Sequence, residues 1–307
     1  MSYESEMLKQ LGMPPREEVA RALLISLLRH GGVIKEFAAG QDVVVGLAGE
    51  FGLSQAQLEA ALKTVYRKEN RPKIALLWHR LLFRAADLLA KRNFVSRPTE
   101  TVRLTGRKEW MLTESGLDEV LKLSSISKNE KESLAVKSFE VQRIAKRLAD
   151  SPRPEQYDPI DKKKRVATRT TETAIRARGF RQAVIEAYGY RCSVCGLKMM
   201  SPNALAWEVE AAHIVPNRMR GRDDAWNGLA LCHIHHWAFD VGWFTLRTDY
   251  TIEVERRVAS MPSEHARIEG HEIIRNLSGR IILPGRASVR PHESAIIWHR
   301  QNIFGRI

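Results

Sequence analysis

Apolar residues recur every three to four positions through the first part of the chain and alternate with polar ones from about Trp207, so helices are expected first and strands later. Arg16 to Arg29 reads as an amphipathic helix, Gln41 to Phe51 as a second and Ser54 to Tyr66 as a third, with Ser54 as its N-cap. From Pro72 to Asn93 the pattern predicts a longer helix. Pro72 suits its first turn, and Ile74, Leu77, Trp78, Leu81, Ala85 and Leu88 share one face. About a quarter turn away lie Lys73, Arg80, Arg84 and Lys91, interrupted by Asp87, so one face can pack while its neighbour meets phosphate. Phe94 to Arg97 and Val102 to Leu104 read as strand pieces about a Pro98-Thr-Glu-Thr turn, Glu109 to Leu112 as a further strand, and Thr113-Glu-Ser-Gly as a helix start.

Ser125 to Asp150 keeps helical periodicity with dense charge, and Ser151 to Asp161 is rich in Pro and polar residues, which predicts a linker helix and a flexible joint. Lys162, Lys163, Lys164, Arg165, Arg169, Arg176, Arg178 and Arg181 then form a basic approach suited to a phosphate backbone. Trp207 to Val215 alternates as a strand, Pro216 to Asp224 is a basic loop, Asn227 to Cys232 a second strand, and Ile234 to Phe239 the start of a helix. Ile281 to Pro284 reads as a short strand and Pro291 to Phe304 as a helix, with Trp298 a core residue. The expected class is α+β, organised as residues 1–124, a helical linker and basic joint over 125–165, and a second domain over 166–307.

Charge sharpens this picture. With 49 Lys and Arg against 36 Asp and Glu, the formal charge is +13, which favours a polyanionic partner, nucleic acid first. Apolar stretches are broken by Arg, His or Lys before membrane-spanning length, and no export signal is visible, so a cytoplasmic protein without a membrane partner is expected. All 3 Cys fall in two ligand-like clusters, a poor disulfide framework.

Those clusters carry the chemistry. Cys192 and Cys195 bring two thiolates onto one ion, and Cys232 with His235 repeats the spacing, so these four can close a tetrahedral shell around a structural zinc. Between and beside them stand Glu210, His213, Asn227 and His236. A neutral imidazole can take a proton from water, a second can bind a divalent metal, and an Asn between two strands can bond buried backbone through both ends of its amide.

The strand, loop, strand and helix from about Phe180 to Phe244, with His213, Asn227 and His236, resemble the HNH or ββα-metal nucleases. The resemblance implies that His213 is the general base, that Asn227 fixes the loop holding it, and that His236 ligates a catalytic Mg2+ or Mn2+ at the scissile phosphate. Many members carry Asp immediately before the base His; here Ala212 stands there, and Glu210, two residues earlier on the same strand face, is the expected replacement ligand. Asp240 is the competing carboxylate, and His233 is expected to lie out of phase as a surface or phosphate contact.

The segment from about Glu17 to Leu123 resembles a winged helix, with Gly106 to Gly116 resembling the wing end of restriction-type examples. A winged helix joined to an HNH domain resembles the modification-dependent restriction endonucleases, which implies cleavage of double-stranded DNA bearing methylated bases, N6-methyladenine first. Trp78, Trp110 and Tyr66 are candidate base contacts, and Lys73, Arg80, Arg84, Lys91, Lys163, Lys164 and Arg165 candidate phosphate contacts. An HNH nicking or homing-type nuclease reading unmodified DNA and a non-catalytic DNA-binding regulator are the rival readings. One site cuts one strand, so a double-strand break requires a homodimer or two successive visits; the sequence leaves both open.

Overall fold

A computed structural model describes residues 3–35, 37, 40–66, 71–162, 171–255 and 271–305, with backbone alone for residues 64–66, 71–73, 128, 129 and 271. The chain divides into two units, Met1–Phe139 with Asn203–Leu205, and Glu140–Pro202 with Ala206–Ile307. Both mix helix and strand.

In the first unit the order is α1 (Tyr3–Gln10), α2 (Arg16–Arg29), β1 (Val33–Lys35), α3 (Asp42–Glu50), α4 (Gln55–Glu59), β2 (Ala61–Tyr66), β3 (Arg71–Leu76), α5 (Leu77–Lys91), β4 (Val95–Ser96), α6 (Pro98–Thr105), β5 (Glu109–Leu112) and α7 (Glu114–Leu123). Strand β5 is the centre of an antiparallel sheet, pairing Trp110 with Ile34 on β1 and Met111 with Ser96 on β4. The apolar stripe of α5 packs on α2, and Leu23, Leu27, Leu81, Leu82 and Leu117 are buried together in one core. Thr113 caps α7 by accepting from Gly116 N at 3.0 Å, and Ser54 caps α4 in a reciprocal pair with Gln57.

Several elements differ from the sequence pattern. The helix expected over Ser54 to Tyr66 ends at Glu59, and Ala61–Tyr66 is a strand paired with Arg71–Leu76. β-branched Thr64 and Val65 with Tyr66 favour extended backbone, and a partner strand satisfies the ladder that a helix would otherwise supply. The next helix therefore starts at Leu77 rather than Pro72. Pro72 faces Val65 in a two-stranded ribbon, where every strand is an edge and a missing N–H is tolerated. Ile74, expected on the buried helix face, is 65% exposed on β3. Residues Pro98–Thr105 are a helix rather than a turn and strand piece: Pro98 sits in its first turn and the Glu100 carboxylate accepts from Arg97 N at 3.0 Å. Of the span Ser125 to Asp150, only Phe139–Asp150 is α-helical.

The second unit contains α8 (Phe139–Asp150), α9 (Thr171–Ala187), β6 (Val209–His213), β7 (Gly228–Cys232), α10 (His233–Asp240), β8 (Phe244–Leu246), β9 (Ile252–Val254), a short helix His271–Arg275 and a last helix Glu293–Asn302. The β6–β7 hairpin lies against α9 and α10, with Phe180, Val184, Leu229, Leu231 and Phe239 in the core. Ile281 to Pro284 forms no strand; Ile282 N donates to Ser193 O at 2.7 Å. Arg176, Arg178 and Arg181, expected in a basic approach, lie on α9, with Arg178 buried. Among the described residues, no helix is long and apolar enough to cross a membrane.

The last helix is anchored by His299, which is 1% exposed and stacked on Phe239 at 3.8 Å. Its Nδ1 lies 2.9 Å from Thr245 Oγ1 and its Nε2 3.1 Å from Phe239 O. Burial pushes its pKa down to about 4, against the weaker pull of the Phe239 carbonyl. The folded state therefore holds His299 neutral, whereas the unfolded chain takes up a proton below about pH 6.5. Stability is expected to be unaffected by this group above pH 6.5 and to fall by about 3 kcal/mol as pH drops from 6.5 to 4. Denaturant melts of wild type and His299→Phe across that window check it: the variant should lose this part of the acid sensitivity, and an identical pH slope in both proteins refutes the assignment.

Candidate active site and zinc centre

The turn after α9 makes the first half of the metal shell. Cys192 N donates to Leu197 O and Gly196 N to Cys192 O, both at 2.9 Å, and Gly196 has φ 76°, a conformation that disfavours any side chain. This tight knuckle brings Cys192 and Cys195 together, while the end of β7 and the first turn of α10 supply Cys232 and His235. Ligand atoms of all four lie within 4.8 Å of one another, and no other set of three or more such residues is gathered this closely among the described residues. His235 Nδ1 is 3.6 Å from Cys192 Sγ and 3.0 Å from Cys232 Sγ; Cys195 Sγ is 4.0 Å from Cys232 Sγ.

A tetrahedral zinc with Zn–S about 2.3 Å and Zn–N about 2.1 Å needs ligand–ligand edges of about 3.5–3.8 Å, so the donor set fits. Electrostatics agree. Hydrogen bonding to Cys232 and His235 holds the Cys192 thiol down to about 3, whereas proximity to Cys192 pushes Cys232 up and burial pushes Cys195 up. One thiolate is accommodated and further ones are resisted, a deficit that a bound dication removes. The Cys3His cluster can hold a metal such as zinc, with no position left open.

Beside it, β6 and β7 pair antiparallel with Val209 opposite Cys232 and His213 opposite Gly228. Asn227, fully buried, closes the loop between them: its Oδ1 accepts from Val215 N at 2.8 Å, and its Nδ2 donates to Val215 O at 3.1 Å and Arg222 O at 2.9 Å. The two bonds to Val215 satisfy buried backbone groups, and the third ties in the partly buried carbonyl of Arg222. Gly221 completes the closure, because a Cβ there would lie 1.8 Å from Val215 O. His213 leaves the end of β6 stacked on Phe180, with ring centroids 4.0 Å apart and planes 18° apart, and its Nε2 is 3.0 Å from Asp223 Oδ1.

From the same strand, Glu210 reaches α10. Its Oε2 is 2.8 Å from His236 Nδ1 and its Oε1 3.3 Å from His233 Nε2. The hydrogen bond to His236 holds the Glu210 carboxyl down to about 2, against burial and with help from the charges of His236, His233 and Arg181. Burial opposes the charged form of His236, but Glu210 and Asp240 outweigh it and raise its pKa. Asp240 Oδ2 lies 3.6 Å from His236 Nε2. Burial pushes the Asp240 carboxyl up, while His236, Arg218 and His213 pull it down, so Asp240 stands in the field of both histidines.

Glu210, His213, Asn227 and His236 thus come together on one hairpin and its helix. His233, expected out of phase as a surface or phosphate contact, is exposed as expected, but its Nε2 also reaches Glu210, because the first turn of α10 directs both His233 and His236 towards β6. Asp223 and Phe180 carry no signature of their own. Asp223 could have been noticed as an acid within a loop that also holds Arg218, Arg220 and Arg222.

The expected DNA-reading residues fare differently. Trp78 and Trp110 are core, 1% and 5% exposed, and neither ring is available to a base. Trp78 Nε1 donates to Val44 O at 3.1 Å and Trp110 stacks on Phe37. Large rings on β5 and the buried stripe of α5 are drawn into the core by their apolar area. Arg80 and Arg84 both meet the Glu4 carboxylate, at 2.6 and 2.5 Å, and Lys91 meets Asp87 at 3.1 Å. Lys73 and Tyr66 fall on β3 and β2, with side chains outside the described structure, and Lys163, Lys164 and Arg165 lie outside the described residues.

A largely buried Cys3His cluster, the β6–β7 hairpin, the helix α10 packed on it and the His213 imidazole at the end of β6 lie in one segment of the chain, and residues 192–247 match the HNH endonuclease family. They carry an HNH endonuclease domain. Among solved structures, the chain is similar to one described as "Modification dependent TagI restriction endonuclease", at 21% identity and a TM-score of 0.29, over 40% of this chain and 37% of that one. No curated protein matches the chain.

Proposed function

We propose that this protein is a metal-dependent endodeoxyribonuclease of the cytosol that restricts double-stranded DNA carrying modified bases, N6-methyladenine first. The observation that carries the nuclease reading is the pairing of two chemistries around Asp240: an imidazole at His213, and a carboxylate–imidazole pair at Glu210 and His236. The 2.8 Å between Glu210 and His236 is close to the edge of about 3 Å between neighbouring ligands of an ion with bonds near 2.1 Å, so these two residues fit a divalent cation, Mg2+ or Mn2+. Such an ion, when bound, supplies charge stabilisation at the scissile phosphate. His213 takes the proton from the attacking water, Asn227 holds the loop that shapes its surroundings, and Arg181, near Glu210, adds positive charge.

The three-stranded sheet and the helices of the first unit support a winged-helix DNA reader. Arg80, Arg84 and Lys91 on α5 are assigned to phosphate, joined by Lys73 and by Lys163, Lys164 and Arg165. The Lys91–Asp87 pair is exposed, so it contributes only about 0–1 kcal/mol and a phosphate can replace the carboxylate, whereas Arg80 and Arg84 must meet phosphate while still paired with the buried Glu4 carboxylate. With Trp78 and Trp110 buried, the methyl-sensing role passes to Phe83, 42% exposed on α5 and three residues, close to one helical turn, from Arg80.

Digestion of matched plasmids from hosts with and without an adenine methyltransferase tests this reading. Cleavage of the methylated plasmid alone, supported by Mg2+ or Mn2+ and abolished by EDTA, is expected. Equal cleavage of both plasmids assigns the protein to readers of unmodified DNA. No cleavage with any divalent metal removes the nuclease reading.

A further inference from the structure

We infer that Asp223 is a positioning residue for His213: it fixes the tautomer and plane of the imidazole, making the two a carboxylate–imidazole dyad for activating water. This rests on the nuclease reading above.

Three observations carry it. Asp223 Oδ1 lies 3.0 Å from His213 Nε2, with both side chains largely sheltered, at 30% and 19% exposure. An ionised carboxylate only accepts hydrogen bonds, so Nε2 must carry the proton. A neutral imidazole has a single N–H, and Nδ1 is therefore left with the lone pair that can receive a proton from water. Second, the ring cannot turn freely about this contact, because Phe180 covers it at 4.0 Å and 18°. Third, the loop delivers Asp223 to a fixed point. Asn227 Nδ2 holds the carbonyl of Arg222, the residue before Asp223, while the same amide grips Val215, two residues after His213. One buried side chain thus clamps the chain beside both members of the dyad. The adjacent acid, Asp224, is taken by Tyr157, whose hydroxyl donates to its Oδ2 at 3.3 Å, so the two consecutive carboxylates are not interchangeable.

The pairing makes the order of events explicit. The water proton moves to His213 Nδ1, the resulting imidazolium is stabilised by Asp223 through Nε2–H, and Asp223 keeps its own charge throughout.

The test uses the whole zinc-loaded chain as wild type, Asp223→Ala, Asp223→Asn, Asp223→Glu and His213→Ala. Nitrogen-15 histidine spectra, with the His213 signals identified by their absence from His213→Ala, should show a neutral ring protonated at Nε2 in wild type and a shift of the proton towards Nδ1 in Asp223→Ala. Single-turnover cleavage of a supercoiled plasmid from an adenine-methylating host should fall about 10- to 100-fold in Asp223→Ala. DNA affinity and melting midpoint should be unchanged, and Asp223→Glu should recover part of the rate. Asp223→Ala and Asp223→Asn both cleaving within threefold of wild type, beside an inactive His213→Ala, overturn the dyad alone, as does an unchanged His213 tautomer. Full activity in His213→Ala removes His213 as the base and overturns the dyad, whereas an inert wild type overturns the nuclease reading and the dyad together.

Discussion

Replacing Cys232 with Ala is expected to abolish the cooperative melting of the second unit while a transition from the Met1–Phe139 unit persists. Cys232 closes β7, opens α10 and supplies one quarter of the Cys3His shell. Structural zinc in such shells contributes about 10–16 kcal/mol of binding free energy that becomes folding free energy, whereas a whole domain is stable by only about 5–15 kcal/mol. Losing one of four ligands removes most of that contribution, which is of the same order as the stability of a whole domain. The first unit has its own buried cluster around Leu23, Leu27 and Leu82, so its transition should survive. Calorimetry with elemental analysis measures both quantities, and a strong chelator should reproduce the mutant trace in wild type. A Cys232→Ala protein that melts like wild type, or a wild type that releases no zinc on unfolding, contradicts a folding role for the metal.

His213→Ala should lower DNA cleavage by about 10²- to 10⁴-fold with zinc content, melting midpoint and DNA affinity retained. The substitution removes an imidazole at the edge of the hairpin, partly exposed, while Ile214 N still donates to Asn227 O at 2.9 Å and the Asn227 clamp on Val215 is untouched. The strand therefore keeps its backbone partners, and the loss falls on proton transfer alone. Supercoiled-plasmid cleavage under single-turnover conditions is the measurement, since it separates chemistry from product release. A variant within threefold of wild type places the base elsewhere, with His233 and His236 the remaining imidazoles of the site. Excess imidazole restoring part of the rate would tie the defect to the missing base rather than to an altered fold.

The metal shell was legible because its information is local. A Cys-x-x-Cys turn and a Cys-x-x-His turn each bring two donors together through geometry spanning four residues, whatever the rest of the chain does. Ser54 was legible as a cap and Thr113 as the start of a helix for the same reason, each bonding a backbone N–H three residues on. The bounds of α2 follow from one apolar stripe with nothing competing for it. By contrast, Lys73 and Ile74 carry helical periodicity yet sit in β3, because the pairing of β3 with β2 supplies backbone hydrogen bonds that no periodic pattern records. Trp78 and Trp110 could serve either a reader or a core, and only the packing of α5 and β5 assigned them to the core.

The site divides the same way. Residue types and spacing alone determined that this chain carries sulfur and imidazole donors that can hold a metal such as zinc, and a His, Asn and His in the order an HNH site uses, because donor chemistry and short-range turns are written residue by residue. Tertiary structure decided which groups complete them. Asp223 meets His213 ten residues further along the chain, Phe180 arrives from α9, and His233 joins Glu210 only through the packing of α10 on β6. Such contacts depend on how a loop closes and how elements pack, which are sums over many distant residues.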